Sequence, residues 1–256
     1  MDGLLLGESR WRWAAASRIG TSHQRSGTRK QDAYSISRLA GGGLCAVVSD
    51  GAGSASFGGE GAAIVCRHLS SALRDWFAQN QQMPTDDQIH QWIDDLRDRL
   101  TAAAKKRQVQ PRQFAATLVA LVAAGRDTLA LQIGDSALVA RADDRWEALC
   151  WPQNGEFAST TYFVTDDPEV RLAIVRRGAE HDAFALLSDG IEHVALEQAA
   201  QQPHARFFDP MIKPVDSAAA GGPLRHLSAA LGRYLDGPAI CERTDDDKTL
   251  VLISRR

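Results

Sequence analysis

The sequence predicts an α+β fold, layers of antiparallel sheet covered by helices, and three observations carry the prediction. Short apolar runs recur from residue 33 to the end of the chain. Two amphipathic helical stretches stand together between the second and third run, and the later runs follow one another at hairpin spacing. Regular alternation of strand and helix, which would signal a parallel sheet, is absent.

In chain order the runs are 33–37, 43–49, 117–124, 128–133, 137–141, 172–176, 183–187 and 249–254. Each is rich in Val, Ile or Leu and bounded by Gly, Asp or an Arg-Gly pair, so each reads as a strand. The first helical stretch sets Val65, Leu69, Ala72, Leu73 and Trp76 on one face; the second does the same with Ile89, Trp92, Ile93, Leu96, Leu100 and Ala103. Thr85 followed by Gln88 has the capping-box pattern that opens the second stretch. Leu224, Leu227, Leu231 and Leu235 predict a third helix over 224–235. Before it, residues 198–222 carry Pro203, Pro210 and Pro214 and run into a Gly221-Gly222-Pro223 turn, which reads as a loop-rich insertion. Nothing repeats at a fixed period and no linker divides the chain, so 11–256 reads as one domain behind a loose lead-in, 1–10.

A chain of 256 residues, 44% hydrophobic and 24% charged, can bury a sizeable core and reads as soluble and globular. The formal net charge of -3, with both signs mixed along the chain, gives no basic stripe, so nucleic acid is not an expected partner. No run approaches the roughly 18 apolar residues that span a bilayer. The opening MDGLLLGESR has neither the basic flank nor the apolar length of a signal peptide. No membrane partner is expected, and a cytoplasmic location is. Cys45, Cys66, Cys150 and Cys241 are scattered without C-x-x-C spacing and read as structural residues of a reducing compartment.

Chemistry enters with the aspartates. "LCAVVSDGAG" ends a strand run in Asp50, "LALQIGDS" in Asp135 and "FALLSDG" in Asp189. "TDDDKTLVLIS" sets Asp245, Asp246 and Asp247 before the last run, and Asp32 precedes "AYSIS". Carboxylates projecting from neighbouring strand ends cannot all stay ionised without a cation. Hard Mg²⁺ or Mn²⁺ ions take oxygen ligands and keep several waters, so four or five aspartates suit a two-ion site. Two ions about 3.5–4 Å apart share and acidify a water and hold a phosphate oxygen in line, which is hydrolytic chemistry. Glycine after Asp50 and after Asp189 lets the backbone turn tightly, and Gly51 could offer its carbonyl to an ion. A single Asp-Gly pair is more often a plain turn; the order and context of the whole set argue for a site.

Read in order, "GTSHQRSGTRKQDA", "AVVSDGAGSASFGGEGA", "FAATLVA", "IGDSAL", "NGEFASTTYFVT", "ALLSDGIE" and "DDDKTLVLIS" resemble the successive motifs of the PPM (PP2C-type) protein serine/threonine phosphatases, and among them the atypical bacterial branch. The resemblance covers residues 19–253. It implies a β-sandwich of two antiparallel sheets flanked by helices, with a binuclear Mn²⁺/Mg²⁺ centre at one end. By motif matching, Asp50 would bridge both ions, Gly51 would give its carbonyl, and Asp32, Asp189 and Asp246 would complete the ligand set. Asp135 matches the position that in bacterial members holds a weaker third ion. In this family activated water attacks the phosphoester directly, without a covalent phosphoenzyme.

The departures bear on mechanism. Gln31-Asp32 stands where many members carry Glu-Asp, and Ala52 stands where eukaryotic members carry a histidine, the usual candidate for leaving-group acid. His23 is the histidine of the early motif and the candidate proton donor, against the plainer reading of a structural hydrogen-bonder. The phosphate-gripping arginine falls in a region flanked by Arg25 and Arg29, either of which offers the forked guanidinium contact. Ala137 replaces the usual arginine after "GDS", and the flap "NGEFASTTYF" differs from the common form, so peptide selectivity is not carried over. The expected activity is hydrolysis of phosphoserine or phosphothreonine on a protein, opposing a partner Ser/Thr kinase. Competing readings are a phosphatase-like binding module without turnover, against which the retained aspartates speak, and a phosphatase of a small phosphoester.

Overall fold

In the computed structural model of the chain, which describes residues 11–153, 161–178 and 180–255, the first elements are β1 (Trp11–Arg18), α1 (Thr21–Ser26), β2 (Ala33–Arg38), β3 (Leu44–Ser49), α2 (Gly58–Gln79) and α3 (Asp86–Arg107). Six strands follow: β4 (Leu118–Ala124), β5 (Asp127–Ile133), β6 (Ala137–Ala142), β7 (Arg145–Cys150), β8 (Ala173–Arg177) and β9 (Ala183–Leu187). The last part holds α4 (Glu192–Ala195), the two-residue strands β10 (Leu196–Glu197) and β11 (Gln202–Pro203), α5 (Ala205–Asp216), β12 (Gly222–Pro223), α6 (Arg225–Leu235), α7 (Pro238–Cys241) and β13 (Lys248–Arg255).

Two main sheets form, one in the order β12-β1-β13-β9-β6-β7 and the other β2-β3-β4-β5-β8. All neighbours in them are antiparallel except β12, which runs parallel to β1. Alternation along β3 sends Leu44, Ala46 and Val48 one way and Cys45 and Val47 the other, and all are fully buried. The first set meets Phe184, Leu186, Val251 and Ile253 across the gap between the sheets. The second packs under Val65, Leu69 and Leu73 of α2 and Leu96 and Leu100 of α3. On the opposite outer face Leu187, Leu250 and Leu252 pack against Phe208 and Ile212 of α5 and Leu231 and Leu235 of α6. The result is a four-layered helix–sheet–sheet–helix sandwich. Strands covered on both faces explain why the apolar runs are continuous instead of alternating.

Each of the eight expected strands is present, with ends shifted by a residue at most, and the helical pair opens its second member as expected: Thr85 Oγ1 accepts from the Gln88 N–H at 3.3 Å. Residues 198–222 correct the expectation of a loop-rich insertion, because α5 runs through Pro210 and Pro214. Its Phe207, Phe208, Ile212 and Val215 form one buried stripe. Burial of four such side chains, at roughly 1.5–3 kcal/mol each, matches or exceeds the ~3 kcal/mol that each internal proline costs. β1 and β7 are strands the sequence reading did not anticipate. The expected lead-in, 1–10, lies outside the described residues. Among them no helix is long and apolar enough to cross a membrane, and the four cysteines are free, with Cys45, Cys66 and Cys150 buried.

Gly61, inside α2, lies against the backbone of the 111–114 turn in the same helical layer. A Cβ there would lie 2.1 Å from the carbonyl oxygen of Phe114. In an open helix Gly→Ala stabilises by about 1 kcal/mol; here the added methyl must push a buried backbone segment aside. Gly61→Ala is expected to lower unfolding stability by about 1–3 kcal/mol, read as a reduced urea midpoint. A raised midpoint would show that α2 and the 111–114 turn are not in this contact.

Candidate active site

Antiparallel pairing decides where strand ends meet. Ala33 pairs with Ser49, Val48 with Val119 and Leu118 with Ile133 in one sheet. Leu187 pairs with both Leu250 and Ala137 in the other. The ends of β3, β5 and β9 and the starts of β2, β6 and β13 therefore share one edge of the sandwich. Asp50, Asp135 and Asp189 follow the first group; Asp32 and Asp246 precede members of the second. A cleft of about 350 Å³ opens at this edge, lined by Asp50, Asp135, Asp189 and Asp246 together with Gly51 and Ser54. Thr117, Thr161 and Phe163 complete its nearer wall. Residues 154–160 of the expected flap lie outside the described residues.

Asp32 sits behind Asp50, 4% exposed, with its carboxyl within hydrogen-bonding reach of the Asp50 carboxyl. Its Oδ2 accepts from Ser188 Oγ at 2.8 Å and Thr249 Oγ1 at 2.6 Å, while Oδ1 is buried and receives no donor. Asp189 Oδ1 is likewise buried without a donor. Asp50 is positioned by its backbone: its N–H donates to Thr117 Oγ1 at 3.0 Å and its carbonyl accepts from the Thr117 N–H at 2.8 Å. Burial, then the charges of Asp32, Asp189 and Asp246, pushes the Asp50 carboxyl well above the usual carboxylate range. Burial followed by the charges of Asp135, Asp246 and Asp32 pushes Asp189 up to about 8. Burial also raises Asp32 and Asp135, the latter against a hydrogen bond from Thr161.

Gly51 belongs where it stands for a steric reason. A Cβ on it would lie 2.2 Å from the Gly58 carbonyl carbon, so the turn after Asp50 closes onto the start of α2 only with glycine.

Asp247 has a different position from its neighbour Asp246. It is 1% exposed, and its carboxylate accepts from the backbone N–H groups of Gly20, at 2.6 Å, and Gln31. It thus ties the segment before α1 and the segment holding Asp32 to the start of β13. His23 stands against this clamp, its Nδ1 3.1 Å from Asp247 Oδ1, outside the geometry of a hydrogen bond and away from the cleft lining. Arg25 is exposed and pairs with Asp245 at 2.9 Å. Arg29 is exposed with no partner among the described residues, and neither arginine lines the cleft.

The structure adds residues that sequence reading missed. Lys30 Nζ donates to Ser17 Oγ at 2.7 Å, Ser17 Oγ is 2.8 Å from Thr249 Oγ1, and Thr249 Oγ1 is 2.6 Å from Asp32 Oδ2. Thr249 has one proton, which the acceptor-only carboxylate takes, so Ser17 donates to Thr249 and Lys30 donates to Ser17. A cation is wired to Asp32 through two hydroxyls. No signal in the sequence pointed to Ser17, and the Lys30-Gln31-Asp32 adjacency carried no hint of direction.

The donor chemistry fits hard divalent cations. The set is all oxygen, with no thiolate or imidazole in the lining, and two of the clustered aspartates, Asp32 and Asp189, each keep a buried carboxylate oxygen without a donor. Among the described residues no three His, Cys, Asp or Glu groups already stand as a metal cage, so the fit lies in charge and donor type.

Comparison with known proteins follows the same line. The family model described as "Protein phosphatase 2C" matches residues 19–236, a span that ends before Asp246. "Serine/threonine-protein phosphatase 3" of Escherichia coli (strain K12) is 34% identical over 251 residues, covering 94% of this chain and 97% of the relative. Among solved structures, PppA of Pseudomonas aeruginosa, titled a key regulatory component of T6SS, superposes with a TM-score of 0.68 at 19% identity, covering 97% of this chain and 99% of its own. The serine/threonine phosphatase PstP/Ppp of Mycobacterium tuberculosis gives a TM-score of 0.68 at 15% identity over 96% and 99% of the two chains.

The contrast between Asp246 and Asp247 is testable. Asp246→Asn is expected to leave the metal-free melting temperature unchanged or raised, since it removes one repelling charge, and to weaken Mn²⁺ binding at least about tenfold by calorimetry. Asp247→Asn replaces one of two acceptors with a donor facing a buried N–H and is expected to lower stability by about 1–3 kcal/mol. A stable Asp247→Asn protein would show that the clamp is not needed.

Proposed function

The chain belongs to the protein phosphatase 2C family of metal-dependent protein serine/threonine phosphatases, and from that premise we propose that phosphoserine and phosphothreonine esters of proteins are hydrolysed at the carboxylate cleft, whose aspartates would hold two Mn²⁺ or Mg²⁺ ions, with Asp135 the residue that would hold a weaker third. The observation that carries the reading is the sign of the cleft. Among its described lining residues are four aspartates and no Arg, Lys or His. An anionic phosphoester would be repelled from such a surface unless bound cations reversed its charge.

Asp50, Asp32, Asp189 and Asp246 are the proposed ligand carboxylates, with Gly51 contributing its backbone carbonyl. When bound, the divalent ions supply the charge that acidifies a water and offsets the phosphate's negative charge. The chain's own residues do the positioning. Thr117 fixes Asp50 at the end of β3, and Ser188 and Thr249 hold Asp32 by one oxygen so that the other faces the Asp50 carboxyl. The Lys30–Ser17–Thr249 relay favours the ionised form of Asp32 by hydrogen-bonding it. Ala52 offers no proton to a leaving alkoxide, and the hydroxyls of Ser54, Thr117 and Thr161 are the protic side chains on the wall. His23 would reach the leaving group only by turning from Asp247. Arg25 or Arg29, both exposed, would have to swing inward to grip a phosphate oxygen.

The partners that follow are phosphorylated proteins, with a Ser/Thr kinase or its targets as the opposed activity, in the cytoplasm. The test is phosphate release from a phosphothreonine peptide. Turnover is expected with Mn²⁺ or Mg²⁺, with full loss in excess chelator while the fold survives. Asp50→Asn and Asp189→Asn are each expected to cut turnover by roughly three orders of magnitude or more at unchanged secondary structure. Chelator-resistant activity, or a near-normal rate in either variant, would refute this site.

A further inference from the structure

We propose that the groove between α2 and α3 docks an acidic segment of the substrate protein beside its phosphorylated residue, an inference that rests on the cleft being the phosphatase site. The two helices run antiparallel. Glu60 in the first turn of α2 pairs at 2.9 Å with Arg107 in the last turn of α3. Between them lies a cleft of about 570 Å³ into which Arg67 projects from α2 and Arg99 and Lys106 from α3.

These three cations are exposed and have no acidic partner among the described residues. Three neighbouring arginines do have partners: Arg97 reaches Asp166 and Asp167, Arg107 pairs with Glu60, and Arg176 pairs with Asp86. Lys106 lies in the last turn of α3, where a cation offsets the helix dipole. Arg67 and Arg99 lie mid-helix, where the dipole asks for nothing. Past Arg99 the groove changes sign, being lined by Asp75 and Asp95. The cationic stretch from Glu60 to His68 is about 12 Å of helix, which an extended peptide crosses in about four residues.

The groove starts near the cleft. Ser54 lines the cleft and Glu60 the groove, and the six residue steps from one to the other bound the separation at about 20 Å. A substrate with its phosphoresidue in the cleft therefore reaches the mouth of the groove within about six residues of chain, and Arg67, about 10 Å further along α2, within about nine.

The experiment compares phosphothreonine peptides carrying four acidic residues within about nine positions of the phosphate with equal-length neutral peptides, on the wild-type chain and on an Arg67→Glu/Arg99→Glu variant. Expected is kcat/KM about tenfold higher for the acidic peptides on wild type, erased in the variant through KM, with kcat and hydrolysis of a small aryl phosphate unchanged. A fluorescein-labelled acidic peptide without phosphate should bind wild type and not the variant by anisotropy. Equal kcat/KM for both peptide classes on wild type, equal anisotropy for both proteins, or equal competition by a short single-stranded oligonucleotide would overturn the proposal. Failure to release phosphate from any peptide would instead refute the phosphatase reading, and the anisotropy arm would still decide whether the groove takes acidic peptide.

Discussion

Carboxylates deprived of water repel one another, and the edge of this sandwich is organised around holding Asp32, Asp50 and Asp189 against that repulsion. Each loses hydration on burial, which raises all three, and Asp50 and Asp189 also meet the charges of neighbouring aspartates, so that Asp50 is held well above the ordinary range and Asp189 at about 8. Local compensation is partial: Ser188 and Thr249 donate to Asp32 Oδ2, but the buried Oδ1 atoms of Asp32 and Asp189 have no donor. The compensation comes from backbone ladders that will not let the strand ends separate, anchored by three buried apolar layers. A cost concentrated in one place is offset by packing spread over the whole molecule, which is the arrangement expected of a functional site.

Rigidity at the edge also depends on contacts that only backbone can make. A Cβ on Gly190 would lie 1.8 Å from the Asp247 carbonyl, and one on Gly20 would lie 2.4 Å from the Asp245 carbonyl. The loop before β13 is thus pressed between the loops carrying Asp189 and α1, and the Asp247 carboxylate closes the joint by accepting from Gly20 and Gln31. Of two adjacent aspartates one faces the cleft and the other the interior, as alternation along extended chain requires. The proposed ligand and the clamp are one residue apart because the same segment must both present a charge and be held still.

Much of this was legible in the sequence where a single local cause operates. Continuous Val- and Leu-rich runs ending in Asp-Gly or Asp-Ser gave away β3, β5 and β9 and the residues that follow them, because apolar cover and strand ends leave local marks. β1 left no such mark: WRWAAASR is alanine-rich, without β-branched residues, and becomes a strand by pairing along its whole length with β13. α5 was hidden by Pro210 and Pro214, whose local preference lost to burial of Phe208 and Ile212. The Lys30–Ser17–Thr249–Asp32 relay was illegible, since Thr249 and Asp32 are 217 residues apart and Ser17, which joins Lys30 to Thr249, stands in no motif. Charge was misleading in the same way. Arg67, Arg99 and Lys106 are dispersed among acids in the sequence, and only antiparallel packing of α2 on α3 collects them.

That collection gives the surface two regions of opposite sign a short way apart, although the chain's net charge is only -3. A phosphorylated segment with acidic flanks is negative throughout, so the acidic cleft alone would reject all of it. Divalent ions can reverse the sign at the cleft, the proposed place of the phosphate, because charge there is buried and weakly screened. They cannot help the flanks, which lie in solvent beyond a Debye length of about 8 Å. Fixed guanidinium groups on exposed helices act where the ions do not, at a place set by the geometry of α2 leaving the cleft. On the proposed reading the two regions divide recognition by range: the cleft discriminates the ester, and the groove discriminates the chain that carries it.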